Sequence, residues 1–282
     1  MKAGQASQTA VLVCAARAAA HGTTAVARYS DPTALLLLPP EARAAVERYR
    51  RGEVGEGARA RIAHETIRRR AAMMVARTVF IDDAVRETKS EQVVILGAGL
   101  DGRAWRMEEL RDAVIFEVDH PDSQRAKRER IAPLTRFAKE VRFVPVDFER
   151  DSLDQALATA GHDPSQPTTW IWEGVVMYLT PADVEATLAV VAARSTPGSR
   201  IAIAYHSPAF MLRFVGYIVK RMGEPLRSAY TDRQMRALLS RHDFAVMRDA
   251  SLPQIGAQLS PEVGEATRVM KHTRIVVADI VR

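Results

Sequence analysis

Residues 91–103 read EQVVILGAGLDGR: a short apolar run of strand character breaks into Gly97, Gly99 and Gly102, and a helix to about Arg111, carrying Trp105 and Arg106, is expected to follow. The same order recurs in VIFEVD with a Lys/Arg-rich helix from Ser123, VRFVPVDF with a helix over about 153–160, TWIWEG with a helix over 181–194, and RIAIAYH. Strands joined through helices run parallel, because a parallel pair needs a crossover long enough to hold one. The pattern predicts an α/β fold with a doubly wound, Rossmann-like sheet. FAVMRDASL and RIVVADIVR bring the strands to seven. A long stretch without helical periodicity separates them, which predicts an antiparallel edge pair joined by a loop.

Ahead of residue 91 only helical periodicity is visible, so residues 1–90 are expected to form a helical N-terminal cap on a core of 91–282. An apolar segment after the fifth strand, about 207–230, reads as an inserted helical lid. With no linker or repeat between these parts, one structural domain is expected. Lys2 followed by AVLVCAARAAA loosely imitates a signal peptide, yet Arg17 interrupts the apolar run. Val11, Cys14, Ala15 and Ala18 fall at helical spacing, and an amphipathic first helix is the better reading.

Composition narrows the function classes. A chain of 282 residues, 47% apolar, can bury a full core. A single cysteine, Cys14, excludes an internal disulfide and leaves no thiolate cluster for zinc, so no metal is expected and a reducing cytoplasm suits the chain. No apolar stretch approaches the roughly 20 residues needed to span a bilayer. The net charge of +6 is scattered, and its densest group, Arg68, Arg69 and Arg70, lies within a helical pattern without interleaved aromatics. A solvated helix face explains it better than a nucleic-acid surface. The oligomeric state is not legible.

The glycine run carries the chemistry. Glycines let a backbone approach a ligand closely, and about 20 residues on the second strand ends in acid, Glu117 and Asp119, able to accept bonds from ribose hydroxyls. The spelling G-x-G-x-x-G fits both NAD(P) and S-adenosylmethionine. Asp101 inside the loop would put a carboxylate beside a pyrophosphate, the run follows 90 helical residues, and no second catalytic domain comes after the sheet. S-adenosylmethionine has no phosphate, and its ammonium, ribose and adenine amine suit acids at successive strand ends: Asp119, Asp147 and Glu173.

GAGLDGRAWRM, EVDHP, VPVDF and WEGVVMYLTPADV resemble the motifs of the leucine carboxyl methyltransferase-like family of class I methyltransferases, with VARTVFIDD and GEPLRSAYT extending the likeness over most of the chain. The resemblance implies S-adenosyl-L-methionine as cofactor. Arg77 would pair with the methionyl carboxylate, the backbone at Gly97 and Gly99 would line the methionyl group, and Glu173 would help hold the ammonium. Asp119 would accept the ribose hydroxyls, with Asp147 and the backbone of Phe148 at the adenine amine. Two positions depart from the family pattern: His120 after the ribose aspartate, and Gly102 in place of a threonine or serine.

The leaving thioether of a sulfonium needs no proton, so alignment dominates and a base matters only for a protonated acceptor. His206 ends the fifth strand at the carboxyl edge and is the candidate base. Tyr178, His120, Phe210 and Phe214 are candidate contacts to a small, hydrophobic or aromatic acceptor. Methylation of a hydroxyl in specialised metabolism is the reading that follows. Carboxyl methylation, of a metabolite or a protein C-terminus, and N-methylation stand beside it, and an NAD(P) oxidoreductase or a non-catalytic cofactor-binding regulator are the alternatives from other classes.

Overall fold

The computed structural model describes residues 8–148, 150–208 and 226–281, without the side chains of residues 59 and 63. Most of the expected lid, including Phe210 and Phe214, falls outside the described residues. A seven-stranded sheet runs in the order β3-β2-β1-β4-β5-β7-β6. Its strands are β1 (Gln92–Leu96), β2 (Val114–Asp119), β3 (Glu140–Pro145), β4 (Thr168–Trp172), β5 (Arg200–His206), β6 (Phe244–Ser251) and β7 (Thr273–Ile280). The first five are parallel, whereas β7 enters antiparallel between β5 and β6.

Period two along each strand distributes the core to both faces. Val93, Ile95 and Ile115 pack with α1 (Gln8–Ala20), α4 (Ala58–Thr88), α10 (Leu252–Leu259) and α11 (Pro261–Thr267). Val94, Leu96 and Trp172 pack with α7 (Leu153–Thr159), α8 (Pro181–Ala193) and α9 (Asp232–Arg241). The N-terminal helices are therefore more than an end cap, since Cys14, Ala18, Val75 and Val79 share one apolar cluster with the sheet. Among the described residues no helix is long and apolar enough to cross a membrane. Arg68 and Arg69 pair with Glu65 on α4, at 2.7 and 2.8 Å.

Two expectations are corrected. The helix after the glycine run is only α5 (Arg103–Arg106), followed by a 3-10 turn at Glu108–Leu110, because Met107 is buried in an extended conformation between them. The stretch between the last two strands is not a loop but the helices α10 and α11. Gly256 and Gly264 disguise it. A Cβ on Gly256 would meet Thr267 Oγ1 at 2.5 Å, and one on Gly264 would meet Ala257 Cα at 3.1 Å, so these glycines mark close helix packing rather than a break.

Register sets the site. Leu96 lies opposite both Val118 and Trp172, so the residues that follow, Gly97, Asp119 and Glu173, leave the sheet at one level of its carboxyl edge. Asp119 pairs with Pro145, which brings Asp147 to the same edge. The chain turns one way from β1 to β2 and the other way to β4, and ligands of open α/β sheets bind at such a switch point.

Candidate active site

The first two glycines of the loop meet a backbone requirement and the third a packing one. Gly97 has φ +73° and its N–H donates to Val118 O at 2.8 Å, while a Cβ there would lie 2.1 Å from Val175 Cγ2. Gly99 has φ +48°, and its N–H donates to Asp119 Oδ2. Gly102 turns away from the site: a Cβ would strike Thr33 Oγ1 at 2.2 Å, so its role is to let the N-terminal segment close on the loop.

These glycines open a cavity of about 570 Å³. Arg77, Gly97, Gly99, Asp119, His120, Asp147, Phe148, Glu173 and Tyr178, all singled out from the sequence, line it together with Ala10 and Arg17 of α1. Backbone N–H groups of Gly99 and His120 hold both oxygens of the half-buried Asp119, the second at 2.6 Å. Burial pushes its carboxyl above the usual range, and those two N–H groups pull it back. A carboxylate has about four acceptor positions, so two remain for hydroxyl donors. Asp147 Oδ2 lies 3.8 Å from Arg150 Nε.

Glu117, the other acid of the second strand, plays a different part. It is fully buried behind the site and pairs with Lys127 Nζ at 2.6 Å. Burial pushes its carboxyl up to about 7 against the pull of Lys127.

Arg77 and Glu173, expected to grip opposite charges of one ligand, grip each other: Arg77 Nε lies 2.6 Å from Glu173 Oε1. The second oxygen, Oε2, accepts from Arg103 Nη2 at 3.1 Å. Arg103 also donates to Asp82 Oδ1 at 2.8 Å and to Asp101 Oδ2. Asp82 in turn accepts from Arg106 at 2.6 Å, and Asp31 lies 3.7 Å from Arg106 and 3.3 Å from Arg17. An isolated buried ion costs several kcal/mol, so such charges persist only when matched. Here the four cations Arg17, Arg77, Arg103 and Arg106 meet the four anions Asp31, Asp82, Asp101 and Glu173. Burial opposes ionisation of Glu173, but Arg77 and Arg103 hold its carboxyl below the ordinary value. Asp101 is likewise held down, against burial, by Arg103 and Arg17.

No motif in the sequence marks Arg17, Asp31, Asp82, Arg103 or Arg106 as a site residue. One signal was visible, an arginine interrupting the apolar first helix, and Arg17 is in fact 4% exposed.

His206 does not line the cavity. Its Nε2 lies 3.3 Å from Thr273 Oγ1, and its Nδ1 is buried with no partner among the described residues. Burial, then Arg77 and His272, lower its pKa to about 4. His120 lines the cavity while capping α6 (Pro121–Ile131), where its Nδ1 accepts from Asp122 N–H at 3.2 Å.

The sheet order, the antiparallel β7 and the switch-point cavity define a class I methyltransferase fold. The model of the leucine carboxyl methyltransferase family matches residues 10–192, and the chain belongs to that family. Two relatives carry S-adenosyl-L-methionine-dependent methyltransferase as a provisional name. One, from Mycobacterium sp. (strain JLS), is 36% identical over 167 residues, covering 59% of this chain and 55% of the relative. The other, from Frankia alni, is 40% identical over 162 residues, covering 55% and 56%. The chain thus spans just over half the length of these relatives. Its fold is similar to that of a DUF574 family protein from Streptomyces avermitilis, with TM-score 0.62 at 10% identity over 99% of each chain. It is also similar to an O-methyltransferase family protein from Burkholderia thailandensis, with TM-score 0.52 at 12% identity over 92% of this chain and 74% of the other.

Proposed function

We propose that this protein is an S-adenosylmethionine-dependent O-methyltransferase acting on a small, hydrophobic or aromatic acceptor. The observation that carries the reading is one cavity joining the glycine loop, the strand-end acids Asp119, Asp147 and Glu173, and Arg77. The donor set fits the cofactor. Asp119 keeps free acceptor positions for ribose hydroxyls, Asp147 and the Phe148 backbone suit an adenine amine, and the bare backbone at Gly97 and Gly99 admits the methionyl chain. Arg77 serves the carboxylate and Glu173 the ammonium. When bound, the cofactor supplies an electrophilic methyl group on sulfur. The part left to the protein is to align the acceptor oxygen and exclude water.

Tyr178 and Leu179, at the cavity wall beyond Gly174, and His120 are lining residues that would meet the acceptor. That His206 is not a lining residue weakens the case for a histidine base, and so favours an oxygen already ionised near neutral pH: a carboxylate or an acidic phenol rather than an alcohol. Calorimetric titration tests the cofactor. Saturable binding of S-adenosylhomocysteine with none of NAD or NADP is expected, and failure of the former to bind would defeat the proposal. Mass spectrometry of an extract supplied with protein and cofactor should then reveal small molecules heavier by one methylene.

A further inference from the structure

We infer that Arg103, which touches neither cavity nor ligand, is the positioning residue for the amino-acid end of the pocket. It clamps Glu173, and through Glu173 aims the Arg77 guanidinium. The inference rests on the cofactor reading above and names the part that holds one end of that site in place.

Arg103 is 1% exposed and is absent from the cavity wall. Its guanidinium nonetheless joins three carboxylates from three elements: Asp82 of α4, Asp101 of the glycine loop and Glu173 at the end of β4. The Arg103 N–H also donates to Asp101 Oδ1 at 2.7 Å, which fixes the start of α5 to the same hub. Glu173 is therefore divided between two arginines. Oε2 faces back to Arg103, whereas Oε1 meets Arg77 Nε in the cavity wall. The Arg77–Glu173 contact is an ion pair outside hydrogen-bond geometry, so Glu173 places the Arg77 charge and leaves both terminal nitrogens, the pair suited to bidentate carboxylate binding. Lysine offers a point charge on a flexible stem and cannot reproduce a three-way planar fork. The clamp bears directly on one end only, because the oxygens of Asp119 are fixed by the backbone N–H groups of Gly99 and His120 and make no contact with Arg103.

That asymmetry supplies the test. S-adenosylhomocysteine carries ribose, adenine and the amino-acid end, whereas 5′-methylthioadenosine carries ribose and adenine but lacks the amino-acid end. Calorimetry on the whole protein should show Arg103→Lys binding S-adenosylhomocysteine about 10-fold or more weakly, the scale of a lost charged hydrogen bond. Its affinity for 5′-methylthioadenosine should stay within about twofold of the parent. Equal loss for both ligands would reduce Arg103 to a structural residue, and no loss for either would remove the role. Should Arg103→Lys not fold, Asp82→Asn loosens the clamp from its far side and should give the same selective loss, to a smaller extent; equal or absent loss there overturns the inference. A parent protein that bound neither ligand would instead defeat the cofactor reading itself.

Discussion

The two ends of the pocket hold their carboxylates by opposite means. At the nucleoside end, backbone N–H groups bind Asp119, and burial shifts it and Glu117 behind it upward. At the amino-acid end guanidinium groups bind Glu173, Asp101 and Asp82, and all three are held below their usual values. Backbone donors leave a carboxylate its charge and spare lone pairs, so it remains a ligand. Arginines neutralise much of its charge, so besides meeting a ligand's ammonium, Glu173 sets where the arginines point. One pocket thus combines a recognition end with a scaffolded end.

The sharpest break of this contrast is Arg103→Met. Removing the cation leaves three buried carboxylates short of a partner, and unfolding in urea should show a loss of about 3–5 kcal/mol; a loss below about 1 kcal/mol would mean that solvent reaches the cluster. Asp119→Ala should do the reverse. Cofactor affinity should fall several tens of fold, roughly 2 kcal/mol, with the urea midpoint close to the parent's. Unchanged affinity by calorimetry would move the ribose elsewhere.

Acidity probes the same contrast more gently. The Glu117 carboxyl is raised from 4.5 to about 7 on folding. Between those values the folded chain keeps a proton that the unfolded chain has released, so this group's contribution to stability declines as pH rises through the window. Glu117→Gln should make that part of the profile shallower, and urea midpoints with an unaltered slope would show that Lys127 keeps Glu117 ionised. The smallest effect is expected at His206. His206→Asn should change turnover by less than about threefold, whereas a fall of about 10²-fold would restore it as the base.

Much of the nucleoside end was legible because its signals are local. A strand, a turn and a strand-end acid lie within one βαβ unit, and period-two apolarity sets the level at which Gly97 and Asp119 emerge. Far less of the amino-acid end could be read. Arg103 meets Glu173 across 70 residues and Asp82 across 21, and no spacing rule links such positions. Glu173 follows the buried Trp170 and Trp172 at the end of β4, and a buried acid there demands a cation. That the demand would be met by Arg77 and Arg103 did not follow. Gly102 shows the limit from the other side, as a glycine that completes the motif spelling yet serves contact with Thr33.

The family match ends at residue 192, and beyond it the last three strands were legible but much of what lies between and beside them was not. Beyond it, Gly256 and Gly264 made two helices look like a loop, and His206 stood at the expected sheet edge yet outside the cavity wall. The amino-acid sequence by itself determined the alternating α/β order, the glycine turn and the acids at successive strand ends, because each depends on backbone geometry within a few residues. Only the tertiary structure decided which charges neutralise one another and which remain to meet a ligand. That balance depends on burial and on distances of about 3 Å between side chains far apart in the chain, since a desolvated charge takes whichever partner the packing brings to it.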